Sequence, residues 1–387
     1  MFDSILAPLS RADFIARHWN KSLLHQAGRP ARFSELFSWK DLNTLLELRD
    51  LKPPGIGLAQ DGKPLDPARY MRGKGAAPAI DPGGLTDALA QGATLIVNAI
   101  DEMVPALSML AAAFEDSLAS RVCVNLYAGW GKDNGFGRHW DEQDTMILQV
   151  AGRKHWQVHR PTHEHPLRGE FLSVSEPEGV PAWEGTLNDG DLLYLPRGWW
   201  HLATPLGEPS LHLTVTIVSP KGTDFIRWLA DRMLADPRAT RDIPRLGDDA
   251  ARATFLADLR RALAESAGDE ALRQFLERYD AGRQVRPRFA LPALPPARQL
   301  LGSASLRLAG ERRWIFKPSS DGGVTFKSGS RVWRCDTDLV PALQMLSSTV
   351  PQPLQALQAT VGEGEALARL RRLLTALGVA GAVVVED

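Results

Sequence analysis

The 387-residue chain is poor in cysteine, in net charge and in long apolar runs. Its two cysteines, Cys123 and Cys335, cannot build a disulfide framework and do not have the spacing of a zinc site. A reducing, cytoplasmic setting is the expectation. Lys and Arg number 45 against 46 Asp and Glu, a net charge of -1. That balance excludes a uniformly basic coat for nucleic acid and an acidic disordered chain. The most apolar stretches, such as Met103 to Phe114, are too short to span a bilayer. The first residues show no basic segment leading into an apolar one, so neither an anchor nor secretion is expected. Internal repeats and low-complexity tracts are also missing.

What is present is an ordinary globular composition, 44% hydrophobic and 24% charged, at a length that suggests two or three domains. Residues 1 to about 120 read as helices and loops. Arg11 to Trp19 and Trp39 to Leu48 have helical apolar spacing, Pro53-Pro54-Gly55 breaks it, residues 61–84 are irregular, and Ile100 to Leu118 reads as one longer helix. From Arg121 to Ser219 the pattern changes to short β-type runs: Val122 to Tyr127, Asp144 to Val150, Lys154 to His159, Leu192 to Leu195 and Leu211 to Val218. Separated by Gly, Pro and Asp turns, they predict an antiparallel sandwich or jelly roll. Helical spacing returns over Asp224 to Leu234, Ala250 to Ser266 and Glu270 to Tyr279. Pro287, Pro292, Pro295 and Pro296 then suggest a linker. Beyond it come short strands at Ser303 to Leu308 and Arg312 to Phe316, and helices near Val340 to Leu346 and Glu363 to Leu377.

The residues that carry chemistry sit in the β region. In Gly137-Arg138-His139-Trp140-Asp141, strand geometry would project His139 and Asp141 from one face and Trp140 from the other. Further on, His201 follows a strand and the turn Pro196-Arg197-Gly198. Side by side, the two segments supply two His and one carboxylate. That set leaves open positions on an octahedral metal, as in non-haem Fe(II) oxygenases. A His-x-Asp by itself is weak, but Gly-x5-Pro-x-Gly-x2-His from Gly190 to His201 is the second motif of cupin barrels and far more specific.

The matching stretches are Asn125-Leu126-Tyr127, Gly135 to Asp141, Leu148 to Trp156, Gly190 to His201 and Ser210 to Thr214. Through them Asn125 to Val218 resembles the JmjC-type 2-oxoglutarate oxygenases, and within these the ribosomal oxygenases that hydroxylate ribosomal proteins. The resemblance implies an α+β fold. Its parts are a double-stranded β-helix (cupin or jelly-roll) core with helical additions over 1–220, the barrel itself over about 121–219, a helical dimerisation-type domain over 221–285, and a linker and winged-helix-like C-terminal domain over 286–387. It implies Fe(II) on His139, Asp141 and His201, with O2 and 2-oxoglutarate as cosubstrates. Lys154 would pair with the distal carboxylate of 2-oxoglutarate and Asn125 would help to hold it. Tyr127 and Thr216 would line the substrate pocket, with Arg138 beside them; Arg138 and Arg197 can equally sit on the rim. The implied activity is hydroxylation of an Arg or His side chain of a ribosomal protein by a homodimer. Two alternatives stay open: a related oxygenase acting on another peptide or natural product, and a non-enzymatic cupin and winged-helix binding protein.

Four of the nine histidines, His155, His159, His163 and His165, fall in one short span. A second metal site is conceivable there, though surface and loop positions are the simpler reading. Trp140, Trp156, Trp199 and Trp200 are expected in the barrel core or wall, and His212 as a satisfied core group. The charge is also uneven: residues 101–220 carry 8 basic against 16 acidic side chains, and residues 281–335 carry 11 against 2. An acidic barrel would attract basic ribosomal-protein segments. The basic stretch, with Arg283, Arg286, Arg288, Arg312, Arg313 and Arg334, offers a weak RNA contact or solvated ion pairs.

Overall fold

A computed structural model describes residues 1–73, 78–131, 135–167, 175–280, 286, 304–309, 313–328, 331–347 and 350–386. Contacts divide the chain into two units, Met1–Val218 and Ser219–Asp387. In the first, α1 (Phe2–Leu6), α2 (Arg11–Arg17), β1 (Leu24–Gln26) and α3 (Trp39–Leu48) lead to β2 (Ile56–Gln60), β3 (Lys63–Pro64), β4 (Met71–Arg72) and β5 (Ala79–Ile80). Then come α4 (Pro82–Ala90), β6 (Thr94–Val97) and α5 (Pro105–Leu118). The barrel strands follow: β7 (Arg121–Gly129), β8 (Asp144–Ala151), β9 (Lys154–His159), β10 (Trp183–Leu187), β11 (Leu192–Leu195), β12 (Trp200–Pro205) and β13 (Ser210–Val218).

Two antiparallel sheets enclose the interior. The larger has the order β1-β11-β8-β13-β7-β6-β2-β3 and the smaller β10-β9-β12. The two-residue period gives each central strand two chemistries. Val122, Val124, Leu126, Met146, Leu148, Leu213 and Val215 face the outer core, together with Phe2 and Phe114 of the flanking helices. The other face carries Asn125, Tyr127, Gln149, His212 and Thr214. Against it, Trp156, Val158, Leu187 and Trp199 of the smaller sheet and its loops form a second apolar cluster with Ile147, Leu193 and Leu195.

The N-terminal 120 residues depart from the expected helices and loops. β1, β2, β3 and β6 all join the larger sheet, and each is a short run whose periodicity does not distinguish strand from helix. The expected helix over Ile100 to Leu118 is a 3-10 turn, Ile100–Glu102, followed by α5. Pro105 explains the break: it lacks an N–H, suits only the first helical turn, and leaves Val104 extended. β6 covers only Leu126 to Ala128 of β7. Nearer the start of β7, two buried carboxylates take over: Val124 N donates to Asp101 at 2.7 Å and Val122 N to Glu115 at 2.9 Å. These bonds hold α5 and the turn before it against the sheet.

The second unit contains α6 (Gly222–Met233), α7 (Pro237–Thr240), α8 (Asp249–Ser266) and α9 (Asp269–Asp280). Next come β14 (Ser305–Leu308), β15 (Lys317–Pro318), β16 (Val324–Ser328), β17 (Arg331–Cys335) and α10 (Val340–Met345). It ends with β18 (Gln352–Pro353), α11 (Leu354–Ala359), α12 (Glu365–Val379) and β19 (Val383–Glu386). Sheets β18-β14-β19 and β15-β16-β17 share a core that includes Leu306, Phe326, Leu343, Leu370 and Leu374. The strand expected at Arg312 to Phe316 is absent from its described part; pairing starts at Lys317. The linker prolines Pro287, Pro292, Pro295 and Pro296 lie outside the described residues. No helix among the described residues is long and apolar enough to cross a membrane.

The turn between β8 and β9 fixes where β9 begins. Gly152 has φ +66°, and a Cβ there would lie 1.9 Å from the Pro209 carbonyl oxygen. Gly152→Ala should therefore lower the stability of the first unit by at least about 2 kcal/mol, read as a shift in its urea midpoint.

Candidate active site

The loop before β8 carries His139 and Asp141. Their expected placement on a regular strand is not what the structure has. His139 makes an isolated bridge to β12, with His139 N bonded to His201 O at 3.1 Å and His201 N to His139 O at 2.7 Å. Gly198 N donates to Asp141 O at 2.9 Å, tying the turn before β12 to the same loop. The two imidazoles, far apart in the chain, lie 4.3 Å apart.

Each ring is oriented by a backbone carbonyl: His139 Nδ1 is 2.9 Å from Gly137 O, and His201 Nδ1 is 3.1 Å from Trp199 O. A carbonyl can only accept, so Nδ1 carries the proton and Nε2 presents its lone pair. His201 Nε2 is 3.7 Å from Asp141 Oδ2, and one ligand atom from each of His139, Asp141 and His201 lies within 4.8 Å of the others. Two imidazole nitrogens and one carboxylate with open positions beside them form a donor set that fits iron. It is the one such group among the described residues.

Lys154 opens β9, cross-strand from Leu187 and Pro205, with 7% of its surface exposed. Burial pushes its ammonium down to about 8. Among the described residues it has no carboxylate partner, so the charge it keeps at neutral pH awaits a counterion.

Residues 103–225 match the description of the JmjC domain. The chain is 30% identical to Ribosomal oxygenase 1 of Rattus norvegicus over 226 residues, 56% of this chain and 36% of that protein. It is also 30% identical over 230 residues to the Drosophila persimilis protein named bifunctional lysine-specific demethylase and histidyl-hydroxylase NO66, covering 55% of this chain and 31% of that one. Over its JmjC region the chain is similar to these ribosomal oxygenases. It spans about a third of the length of these curated relatives. Its fold is similar along 98% of both chains to E. coli ycfD, with a TM-score of 0.62 at 20% identity. A structure of YcfD from Escherichia coli with cobalt and 2-oxoglutarate gives 0.59, also at 20% identity, over 98% of this chain and 99% of that one. At such identity the likeness concerns the fold.

In this JmjC domain the other expected site residues are distributed as follows. Asn125 and Tyr127 lie on the inner face of β7, opposite Thr214 and His212. The Asn125 side-chain oxygen, Oδ1, accepts from Ala99 N at 3.0 Å. Tyr127 stacks on His212 at 5.0 Å, and burial, then Asp141, hold its phenol protonated. Thr216 is on the same face, opposite Cys123 and Thr145. Arg138 is half-buried, with Nη1 4.0 Å from Glu176 Oε2.

Ring contacts close a circuit around the interior. It runs from His139 to His201, then Trp156, His212, Tyr127 and Phe136, and back to His139, with centroids 4.3 to 6.1 Å apart. Sequence reading missed Phe136 as part of this wall and His212 as an unsatisfied group: its Nδ1 is buried without a partner among the described residues. It also missed Asp144, whose Oδ1 accepts from Arg197 N at 2.8 Å and so holds the turn that leads to His201. Burial raises the Asp144 carboxyl to about 6, against the opposing pull of that bond. The two-residue alternation of β8 and β13 was the available signal for His212. The histidine-rich span does not converge: His155 Nε2 lies 3.0 Å from Glu184 Oε1, His159 is buried, and His163 and His165 are exposed in a loop.

Lys154 also gives the domain a pH signature. In the unfolded chain a lysine titrates near 10.5, and here the folded-state value is about 8. Between these values the folded protein has shed a proton that the unfolded chain keeps, so stability rises with pH across that window. The full effect is roughly 3 kcal/mol, at about 1.4 kcal/mol per unit. Denaturation of the ligand-free protein from pH 7 to 10.5 should show this rise, and Lys154→Met should remove it while stabilising the protein at pH 7.

Proposed function

We propose that the protein is an Fe(II)- and 2-oxoglutarate-dependent dioxygenase that hydroxylates an Arg or His side chain of a ribosomal protein. The observation that carries this reading is one barrel interior holding both a facial set of two imidazoles and a carboxylate and a buried ammonium without a countercharge. His139 and His201, through Nε2, and Asp141, through a carboxylate oxygen, would hold the iron. Bound there, iron supplies the coupling of 2-oxoglutarate decarboxylation, which yields succinate and carbon dioxide, to transfer of an oxygen atom from O2 into a substrate C–H bond. The carbonyls of Gly137 and Trp199 keep both ligand rings in the productive tautomer. Lys154 pairs with the distal carboxylate of the cosubstrate, and Asn125 helps to hold it. Tyr127, Thr216 and Arg138 face the substrate, and the aromatic wall with Phe136 and Trp156 excludes water from the reacting centre.

The names of the relatives support a ribosomal-protein substrate. So does the acidity of residues 101–220, which draws basic segments toward the barrel. A homodimer is supported by large apolar side chains left exposed in the helical region after Ser219, among them Ile226, Leu234, Ile243, Leu246, Leu256 and Leu263. That region, about 221–285, serves as the dimerisation part, and 286–387 as a separate winged-helix-like part. A weak RNA contact through 281–335 is a lesser element of the proposal. Arg283, Arg288 and Arg312 lie outside the described residues, and Arg334 is paired with Asp321 at 2.5 Å. Two free cysteines agree with a cytoplasmic setting.

Purified protein given Fe(II), 2-oxoglutarate and ribosomal proteins should form succinate and add one oxygen to a substrate side chain, read by mass spectrometry. His139→Ala and Asp141→Ala should each reduce turnover by more than about a hundredfold. Turnover retained in both variants would remove the iron assignment. Light scattering should give a dimer mass, and Leu256→Asp combined with Leu263→Asp should shift it toward the monomer.

A further inference from the structure

The turn Pro196-Arg197-Gly198 joins the two halves of the candidate metal site. Asp144 accepts from Arg197 N, and Gly198 N, one residue on, donates to Asp141 O. Behind Asp144 stands Tyr194, a fully buried side chain that no step of the proposed reaction uses. Tyr194 lies cross-strand from Met146, two residues after Asp144 on β8. The strand period therefore puts the Tyr194 and Asp144 side chains on one face of the larger sheet, the outer one. There the phenol and the carboxylate are hydrogen-bonded.

The direction of each bond is fixed. Asn20 N donates to Tyr194 Oη at 3.0 Å, which leaves the hydroxyl proton for Asp144; burial, then the Asp144 charge, keeps the phenol protonated. The carboxylate accepts twice, from Tyr194 and from Arg197 N. An unbroken chain thus runs from Asn20 N through Tyr194 Oη and Asp144 to Arg197 N. It starts in the segment after α2 and ends on the turn before His201.

The same segment grips the Tyr194 ring. Phe14 of α2 meets it edge to face at 4.9 Å, Trp19 stacks on it at 6.2 Å, and Leu24 of β1 lies cross-strand from it. Asn20 takes the left-handed backbone, φ +54°, a conformation that persists only where its surroundings fix it. Packing alone would need only the ring of residue 194. The hydroxyl adds two directed bonds, and one of them ends on the carboxylate that holds the turn.

On the reading that His139, Asp141 and His201 hold the metal, we infer that Tyr194 is a positioning residue for that site. Docking of residues 14–20 on its ring and hydroxyl orients Asp144, and through the turn at 196–198 fixes where Asp141 and His201 stand.

The test is calorimetric titration of the full chain with Mn(II), alongside thermal melting of the metal-free protein. The proteins compared are wild type, Tyr194→Phe, Asp144→Ala, Asp144→Asn, Trp19→Leu and the double variant Trp19→Leu with Tyr194→Phe. Tyr194→Phe keeps the ring and deletes the hydroxyl. It should weaken Mn(II) binding roughly fivefold to tenfold, and Asp144→Ala roughly tenfold to a hundredfold, as when groups that orient metal ligands are removed. Asp144→Asn keeps an oxygen for Arg197 N and should recover most of the loss. Trp19→Leu should weaken Mn(II) in the wild-type background and add little in the Tyr194→Phe background, because both act through one chain of contacts. Trp19 is only half-buried, so its replacement keeps the test open if Tyr194→Phe folds poorly. If Tyr194→Phe melts lower but binds Mn(II) as wild type does, the hydroxyl only stabilises the fold and the inference is wrong. Additive losses for Trp19 and Tyr194 would likewise remove the link to the segment after α2. Wild-type protein that binds no Mn(II) would remove the proposed metal site, and this inference with it.

Discussion

A strand shows alternate side chains to opposite sides, and in β7, β8 and β13 this one constraint separates the part of the protein that holds the fold together from the part that faces a ligand. Val122, Val124 and Leu126 bury against helices on the outer side, while Cys123, Asn125 and Tyr127 turn inward from the same nine residues. A slip of one residue would exchange the two sets and put polar groups in the apolar core. The outer core therefore specifies register, and register places the site. The carboxylates of Asp101 and Glu115 serve the same end, because they satisfy the part of β7 that β6 does not reach.

The interior works against stability. A buried ammonium on Lys154, orphaned nitrogens on Trp156 and His212 and a carboxyl on Asp144 raised to about 6 are each unfavourable in the ligand-free protein. They persist because the surrounding structure determines them. Gly152 starts β9 where only a glycine fits, and the Arg197 backbone is held by Asp144. A site of this kind is preorganised: the desolvation that a charged ligand would otherwise require has largely been met in folding.

The metal-ligand geometry depends on backbone more than on side-chain packing. Paired bonds between His139 and His201, with the bond from Gly198 to Asp141, fasten an irregular loop to the edge strand of the smaller sheet. Carbonyls of Gly137 and Trp199 then set both imidazole tautomers. Both imidazoles that would bind iron are thus oriented by main-chain atoms two positions away. This explains why the motif is compact in sequence although its two halves are far apart.

The amino-acid sequence by itself determined the chemistry available and the local structure that carries it. Lys154 to His159 and Leu192 to Leu195 were legible as strands with the bounds observed, and His139, Asp141, His201 and Lys154 as candidates, since period, turn residues and motif spacing are all local. β1, β2 and β6 were not legible: runs of three to five residues have too little periodicity, and only pairing partners elsewhere in the chain make them strands. Tertiary structure alone decided that His139 and His201 meet outside regular strand pairing, that Asp144 supports the turn between them, and that His212 and Trp156 are left unpaired rather than satisfied. Whether a buried polar atom has a partner depends on which strands lie across from it, and long-range pairing, not local sequence, settles that.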